Sequence, residues 1–141
     1  MKTFPRKLEL LSKIEKIEDA AYFAEAAAKD MKFSDSDIDD IAIALTEAVS
    51  NAMMHGNKHD ETKKVTIEIC EKPDKMVITI LDEGGGFDPI NVADPLLPEN
   101  LLKESGRGIF ILNSLMDGVN FSSGLSGTLT TLIKNKNTKK N

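Results

Sequence analysis

The sequence is poor in cysteine, in net positive charge and in long apolar runs. Its single cysteine, Cys70, excludes an internal disulfide and any cysteine-rich zinc module. Lys and Arg number 18 against 23 Asp and Glu, giving a formal net charge of −5, so bulk charge does not favour nucleic-acid binding. No run approaches about 18 consecutive apolar residues, and the first residues carry no apolar stretch. We therefore expect no membrane span, no signal peptide and a cytoplasmic location.

The composition that is present is typical of one folded domain. The chain has 141 residues, of which 40% are hydrophobic and 29% are charged. There is no internal repeat and no stretch that resembles an interdomain linker. We expect a single domain over residues 1–141, with a core from about residue 6 to residue 134. Residues 135–141 are predicted to be a polar tail.

Apolar periodicity predicts an α+β fold. Helical spacing of apolar residues extends over residues 12–32 and 36–55, and alternation extends over residues 64–71 and 75–81. The turn Lys72-Pro73-Asp74 joins the latter two runs as a hairpin. The remaining predicted elements are an edge strand at 7–11, a helix at 109–117 and closing strands at 119–121 and 128–133. Residues 89–105 hold three prolines and little periodicity, which is typical of a functional or mobile segment.

Four polar clusters stand out from this framework. Glu47 and Asn51 lie one turn apart in the apolar half of the second helix, where buried polar groups need partners. Asp82 ends an apolar strand and is followed by three glycines. Gly106-Arg107-Gly108 precedes a predicted helix, whose free amides can bind phosphate oxygens. Gly127-Thr128 enters the last strand.

The order of these clusters resembles the GHKL superfamily, the histidine-kinase-like ATPases. Four motifs carry the resemblance: EAVSNAMMHGN at residues 47–57, DEGGGFDP at 82–89, SGRGIF at 105–110 and Gly127-Thr128. The sequence is most similar to the anti-sigma-factor serine kinases of the RsbW kind, which share the phrase from Asp94-Pro95 to Ile109 and the following Ser114-Leu115-Met116-Asp117. The resemblance covers about residues 6–134. It implies a two-layer α/β sandwich with a mixed, mostly antiparallel sheet and helices on one face.

The resemblance also implies a site for ATP or ADP with Mg²⁺. Asn51 would hold the metal ion, Glu47 would be the catalytic base, and residues 89–105 would form a lid over the nucleotide. The carboxylate of Asp82 can accept a hydrogen bond from the adenine amino group. The nucleotide-binding residues would be Asn51, Met54, His55, Asp82, Gly84, Gly86, Phe87, Ser105, Gly106, Arg107, Gly108, Ile109 and Thr128.

Several of these residues allow a second interpretation. Glu47 could form a structural ion pair, and Arg107 could contact phosphate or face solvent. His55 could reach a phosphate, although a cap on the helix end together with Gly56 is favoured. Met54 could line the ligand or belong to the core.

By resemblance, the function would be that of an ATP-dependent serine/threonine protein kinase and anti-sigma factor in a bacterial partner-switching module. Its partners would be a sigma factor and a STAS-domain antagonist that it phosphorylates, and it could form a homodimer. The alternative hypothesis is a non-catalytic ATP-binding interaction module with a different protein partner. Glu47 favours the enzyme, because nucleotide binding alone does not need a base.

Overall fold

The computed structural model describes residues 5–84, 104–124 and 127–136, with only the backbone described at residues 104–107. Five strands form one sheet in the order β1-β2-β3-β5-β4. The strands are β1 (Arg6–Leu11), β2 (Lys64–Glu71), β3 (Lys75–Leu81), β4 (Gly118–Gly124) and β5 (Gly127–Asn135). Every strand pair is antiparallel in this described part, where the family resemblance predicts a mixed sheet.

Within the described residues, three α-helices accompany the sheet: α1 (Ile17–Asp30), α2 (Asp35–Asn51) and α3 (Glu104–Leu115). A short 3-10 turn, Ile14–Lys16, precedes α1. Ser34 caps α2, because its hydroxyl accepts a hydrogen bond from the Asp37 amide at 3.1 Å.

The helices cover one face of the sheet. Along β2, Val65, Ile67 and Ile69 are buried, while the residues between them are half exposed. The buried strand residues form one core with apolar residues of the helices, including Ile41 and Leu45 of α2. The predicted α+β class with helices on one face is therefore confirmed.

Several predicted boundaries are wrong, and two of them concern the candidate site and the predicted tail. The third helix begins at Glu104 and ends at Leu115, so Gly106-Arg107-Gly108 lies inside its first turns and does not precede it. β5 extends to Asn135, one residue into the predicted polar tail, because the Asn135 amide donates to the Asp117 carboxylate at 2.7 Å. The proposed lid, residues 89–105, lies almost entirely outside the described residues.

Candidate active site

The two polar residues of α2 meet α3 at a glycine. A Cβ atom placed on Gly108 would lie 2.5 Å from Glu47 Oε2 and 2.9 Å from Asn51 Nδ2. Only a glycine therefore lets α3 approach both side chains this closely. The predicted grouping of Glu47 and Asn51 with the second glycine motif is present in the folded chain.

Glu47 and Asn51 are suited to different chemistry. Both side chains are half buried, so they reach solvent-accessible space from a helix that is otherwise well packed. A carboxylate can accept a proton, and an amide oxygen can coordinate Mg²⁺, which takes few protein ligands beside phosphates and water. No three His, Cys, Asp or Glu side chains of the described residues converge on a metal position. The described residues thus offer Mg²⁺ one amide oxygen, that of Asn51, beside the carboxylate of Glu47.

Asp82 is anchored at the end of β3. Its side chain is almost fully buried, at 5% exposure, and Oδ1 accepts from the amides of Gly84 and Thr128, each at 3.0 Å. The Asp82 amide donates to the Thr128 carbonyl at 3.1 Å. Oδ2 lies against Gly56 and receives no hydrogen bond from the described residues. The predicted neighbourhood of Asp82 and Thr128 is therefore realised by the pairing of β3 with β5.

The end of the second helix and the glycine turn touch through their backbones. A Cβ atom on Gly56 would overlap the Asp82 carboxylate, and one on Gly84 would overlap the Gly56 carbonyl. Among the described glycines, only Gly127 has a positive φ, at 147°. Gly84 is thus required for close approach and not for an unusual backbone angle.

The last turn of the helix that carries Asn51 is a π-helix, Ala52–Gly56. The Asn57 amide donates to the Ala52 carbonyl at 2.8 Å, which is the wide spacing of that helix type. Met54 is half buried, and the Ser50 hydroxyl donates to its sulfur at 3.3 Å. The His55 side chain is exposed and makes no hydrogen bond to the described residues.

One residue near the site was missed by the sequence analysis. Asn57 is 1% exposed, and its side-chain amide donates to the Ser12 hydroxyl at 2.7 Å and to the Lys64 carbonyl at 3.0 Å. Its Oδ1 accepts from the Glu83 amide at 2.7 Å. The available signal was its position at the end of the motif that begins at Glu47.

The loop that follows Asn57 is tightly constrained. Lys58 and His59 are left-handed, with φ of 53° and 64°. The Thr62 hydroxyl and amide both donate to the Asp60 carboxylate, at 2.6 Å and 3.0 Å, and these bonds lower the pKa of Asp60. The loop directly after Asn57 is therefore held by its own hydrogen bonds.

The remaining predicted residues divide into two groups. Ile109 is buried on α3, and Thr128 lies beside Asp82. Gly86, Phe87 and the side chains of Ser105 and Arg107 lie outside the described part of the chain. Gly106 belongs to the first turn of α3, where the backbone amides are not yet paired within the helix.

Comparison with known proteins identifies relatives along most of the chain. A sequence model of the family described as the histidine kinase-like ATPase domain matches residues 10–134. An anti-sigma F factor of Clostridium perfringens is 35% identical over 139 residues, covering 94% of this chain and 96% of that protein. A serine-protein kinase RsbW of Bacillus licheniformis is 33% identical over 111 residues, covering 73% of this chain and 69% of that protein.

Solved structures agree on the fold. The RsbU and RsbW domains of a Mycobacterium tuberculosis protein match with a TM-score of 0.69 at 19% identity, over 94% of this chain and 32% of that chain. The catalytic domain of the histidine kinase ThkA matches with a TM-score of 0.60 at 16% identity, over 93% of this chain and 96% of that chain. The family match and the two sequence relatives confirm the resemblance to the GHKL superfamily and to RsbW-like kinases. No helix of the described ranges is long and apolar enough to span a membrane.

Proposed function

The chain belongs to the histidine kinase-like ATPase domain family, and we propose that it is a serine/threonine protein kinase and anti-sigma factor of a bacterial partner-switching module. Relatives of this chain carry the names serine-protein kinase and anti-sigma F factor. The proposed partners are a sigma factor and a STAS-domain antagonist, and the proposed location is the cytoplasm. A homodimer is proposed by resemblance alone.

The observation that carries the proposal is the convergence of Glu47 and Asn51 on Gly108. The three residues come from α2 and α3, and the space for a Cβ on Gly108 is occupied by the two polar side chains. Nucleotide binding needs no carboxylate at this point, whereas phosphoryl transfer to a hydroxyl benefits from a positioned base. This arrangement therefore favours a kinase over an interaction module that only binds ATP.

The nucleotide would bind between Asp82 at one end of the site and the first turn of α3 at the other. The Asp82 carboxylate would accept a hydrogen bond from the adenine amino group, while its other oxygen stays bound to the amides of Gly84 and Thr128. The first turn of α3 would face the phosphates, because unpaired amides at a helix start attract anions. This provides the local positive field that an acidic chain otherwise lacks.

The chemistry would take place at Glu47. Its carboxylate would take the proton from the serine or threonine hydroxyl while that oxygen bonds to the γ-phosphorus, and the bond to the leaving ADP breaks. The Asn51 amide oxygen would hold Mg²⁺. Nδ2 is now the amide atom nearer to Gly108, and a 180° rotation of the amide group would place Oδ1 there instead. Bound Mg²⁺ would neutralise charge on the phosphates.

The proposal is tested by following the transfer of labelled phosphate from ATP to a partner protein. The chain is used to capture its partners from the native cell, and labelled ATP with Mg²⁺ is then added to each purified STAS-domain protein obtained. We expect label on a serine or threonine of one of them, and none when Glu47→Ala replaces the wild type. ATP binding without transfer to any captured STAS protein would instead support the interaction module.

A further inference from the structure

Asn57 connects three separate segments of the chain through one side chain. Both amide hydrogens are used, one on the Ser12 hydroxyl just after β1 and one on the carbonyl of Lys64 at the start of β2. The Oδ1 atom accepts from the amide of Glu83 in the turn after β3. A fully buried amide with all these bonds made has a defined orientation, since every alternative would leave a polar group unpaired.

Asn57 is itself held in place from the helix side. Its backbone amide closes the π-helix on Ala52 at 2.8 Å, and the His59 amide donates to the Met53 carbonyl at 2.8 Å. Non-glycine residues in left-handed conformation at 58 and 59 cost free energy and persist only where the surroundings determine them. Asn57 is therefore held directly at the end of the π-helix that continues α2, the helix that carries Glu47 and Asn51.

The contact to Glu83 bears directly on Asp82. Glu83 lies between Asp82 and Gly84, so the hydrogen bond to its amide fixes the peptide unit that follows Asp82. The next amide, that of Gly84, donates to Asp82 Oδ1. On the same side, Gly56 lies against the Asp82 carboxylate. Residues 56 and 57 together therefore determine where that carboxylate points.

We propose that Asn57 is a positioning residue for adenine recognition, which orients the Asp82 carboxylate by binding the Glu83 amide. This inference rests on the proposed role of Asp82 in binding adenine. It assigns a separate function to the two ends of one side chain: the donor end joins β1 to β2, and the acceptor end holds the turn that carries Asp82. The two ends can be tested independently.

The test compares three variants at the two ends. Asn57→Ala removes both ends, Asn57→Asp keeps an acceptor for the Glu83 amide, and Ser12→Ala removes only a donor-end partner. Calorimetry with ATP and with GTP, each with Mg²⁺, gives a ratio of affinities that does not depend on the folded fraction. We expect Asn57→Ala to lower the ATP-to-GTP ratio about tenfold, as for loss of a carboxylate hydrogen bond. Asn57→Asp and Ser12→Ala should keep the ratio within about twofold of the wild type.

A second readout does not involve nucleotide. NMR-detected hydrogen exchange of the Gly84 and Thr128 amides reports the two bonds to Asp82 Oδ1. Asn57→Ala should accelerate exchange at Gly84 relative to Ser12→Ala at matched stability. If the wild type does not discriminate ATP from GTP, the proposed role of Asp82 fails, and the exchange data alone decide whether Asn57 orients the carboxylate.

Two results would overturn the positioning role. One is an Asn57→Ala protein with wild-type exchange at Gly84, whatever its stability. The other is measured in the wild type, so it decides the question even if Asn57→Ala does not fold. The bond to Asn57 predicts that the Glu83 amide is protected from exchange, although Glu83 is exposed. Rapid exchange of the Glu83 amide would mean that the bond to Asn57 is not maintained.

Discussion

In the proposed site, base selectivity depends on the carboxylate of Asp82. An acid at this position presents only acceptors, and its Oδ1 is already bound to two backbone amides. The oxygen that remains can accept from the amino group of adenine, whereas the corresponding edge of guanine presents a carbonyl. The proposed geometry would therefore discriminate through the repulsion of guanine as well as through the attraction of adenine.

Asp82→Asn should weaken ATP binding by about ten- to a hundredfold, equivalent to roughly 1.5–3 kcal/mol. The amide keeps one acceptor for Gly84 and Thr128 but turns its NH₂ group toward the adenine donor. Calorimetry with ATP and GTP measures the effect, and Asp74→Asn in the exposed hairpin turn is the control. Equal affinities of the wild type for ATP and GTP would contradict the adenine role.

Glu47 and Asn51 should separate chemistry from binding. Glu47→Ala should keep ATP affinity close to that of the wild type but slow phosphoryl transfer by about 10²–10⁴, the usual contribution of a positioned base. Asn51→Ala should instead weaken the Mg²⁺-dependent part of binding. Asp39→Ala removes an exposed carboxylate from the same helix and serves as the control. Transfer at the wild-type rate by Glu47→Ala would mean that the base lies elsewhere.

The packing of α3 against α2 predicts a small effect on stability and a large effect on activity for Gly108→Ala. Alanine in a helix interior is favoured over glycine by about 0.5–1 kcal/mol. The new methyl group meets the ends of Glu47 and Asn51, which are flexible and can move away. The free energy of unfolding should therefore change by less than about 1 kcal/mol. Phosphoryl transfer should fall at least about tenfold, because small displacements of reacting groups are costly.

The matched control for this change is Gly124→Ala on β4, where a Cβ atom would meet nothing within 4 Å. Urea unfolding and transfer of labelled phosphate are measured on both variants. Gly124→Ala should leave transfer unaffected. If Gly108→Ala transfers phosphate at the wild-type rate, Glu47 and Asn51 do not act from the positions that α3 defines.

The elements that the sequence predicts best are those decided by local pattern. The strands at 64–71 and 75–81 coincide with β2 and β3, because alternation and the proline turn fix both their length and their register. The start of α3 is different. Glycines before an apolar stretch indicate a helix boundary, yet Gly108 lies inside the helix, where two side chains of α2 approach the position of its missing Cβ. That contact is tertiary and has no local signal.

The site residues likewise divide into those that a local motif predicts and those that only tertiary contacts explain. Asp82 and Thr128 could be predicted as members of one site from their motifs, and they lie in contact because β3 pairs with β5. The role of Asn57 depends on Ser12, 45 residues away, and on Glu83, 26 residues away. The change from α- to π-helix at Ala52 likewise has no counterpart in the spacing of apolar residues along the sequence. No periodicity identifies contacts of this kind.

At the scale of the whole molecule, two basic residues join the helices to the sheet. Arg6 of β1 donates to the carboxylates of Asp30 at 2.6 Å and Glu71 at 2.9 Å, and these contacts raise its pKa. The Asp30 carboxylate is mostly exposed, so solvent screening limits the stabilisation that the cluster contributes. Lys134 of β5 is different, since its side chain is only 11% exposed.

Lys134 holds the end of α3 against the start of α2. Its ammonium group donates to the carbonyl of Leu115, the last residue of α3, at 2.7 Å. The carboxylates of Asp37 and Asp40 lie 3.8 Å and 3.7 Å away. A cation at a helix C-terminus interacts favourably with the helix dipole, and burial reduces screening. The single side chain therefore connects the strand next to the site with both helices that form it.

Lys134→Met should keep the packing of the aliphatic stem but leave the Leu115 carbonyl and the two carboxylates without their cation. Hydrogen bonds to charged groups contribute about 1.5–3 kcal/mol, so we expect urea unfolding to lose about 1–3 kcal/mol with little change in its slope. Lys64→Met, at an exposed strand position, should cost less than about 0.5 kcal/mol. Because Gly108 lies two turns before Leu115 on α3, the variant should also transfer phosphate more slowly at temperatures where it is fully folded. Wild-type stability of Lys134→Met would show that the end of α3 is held by packing of Leu112 and Met116 alone.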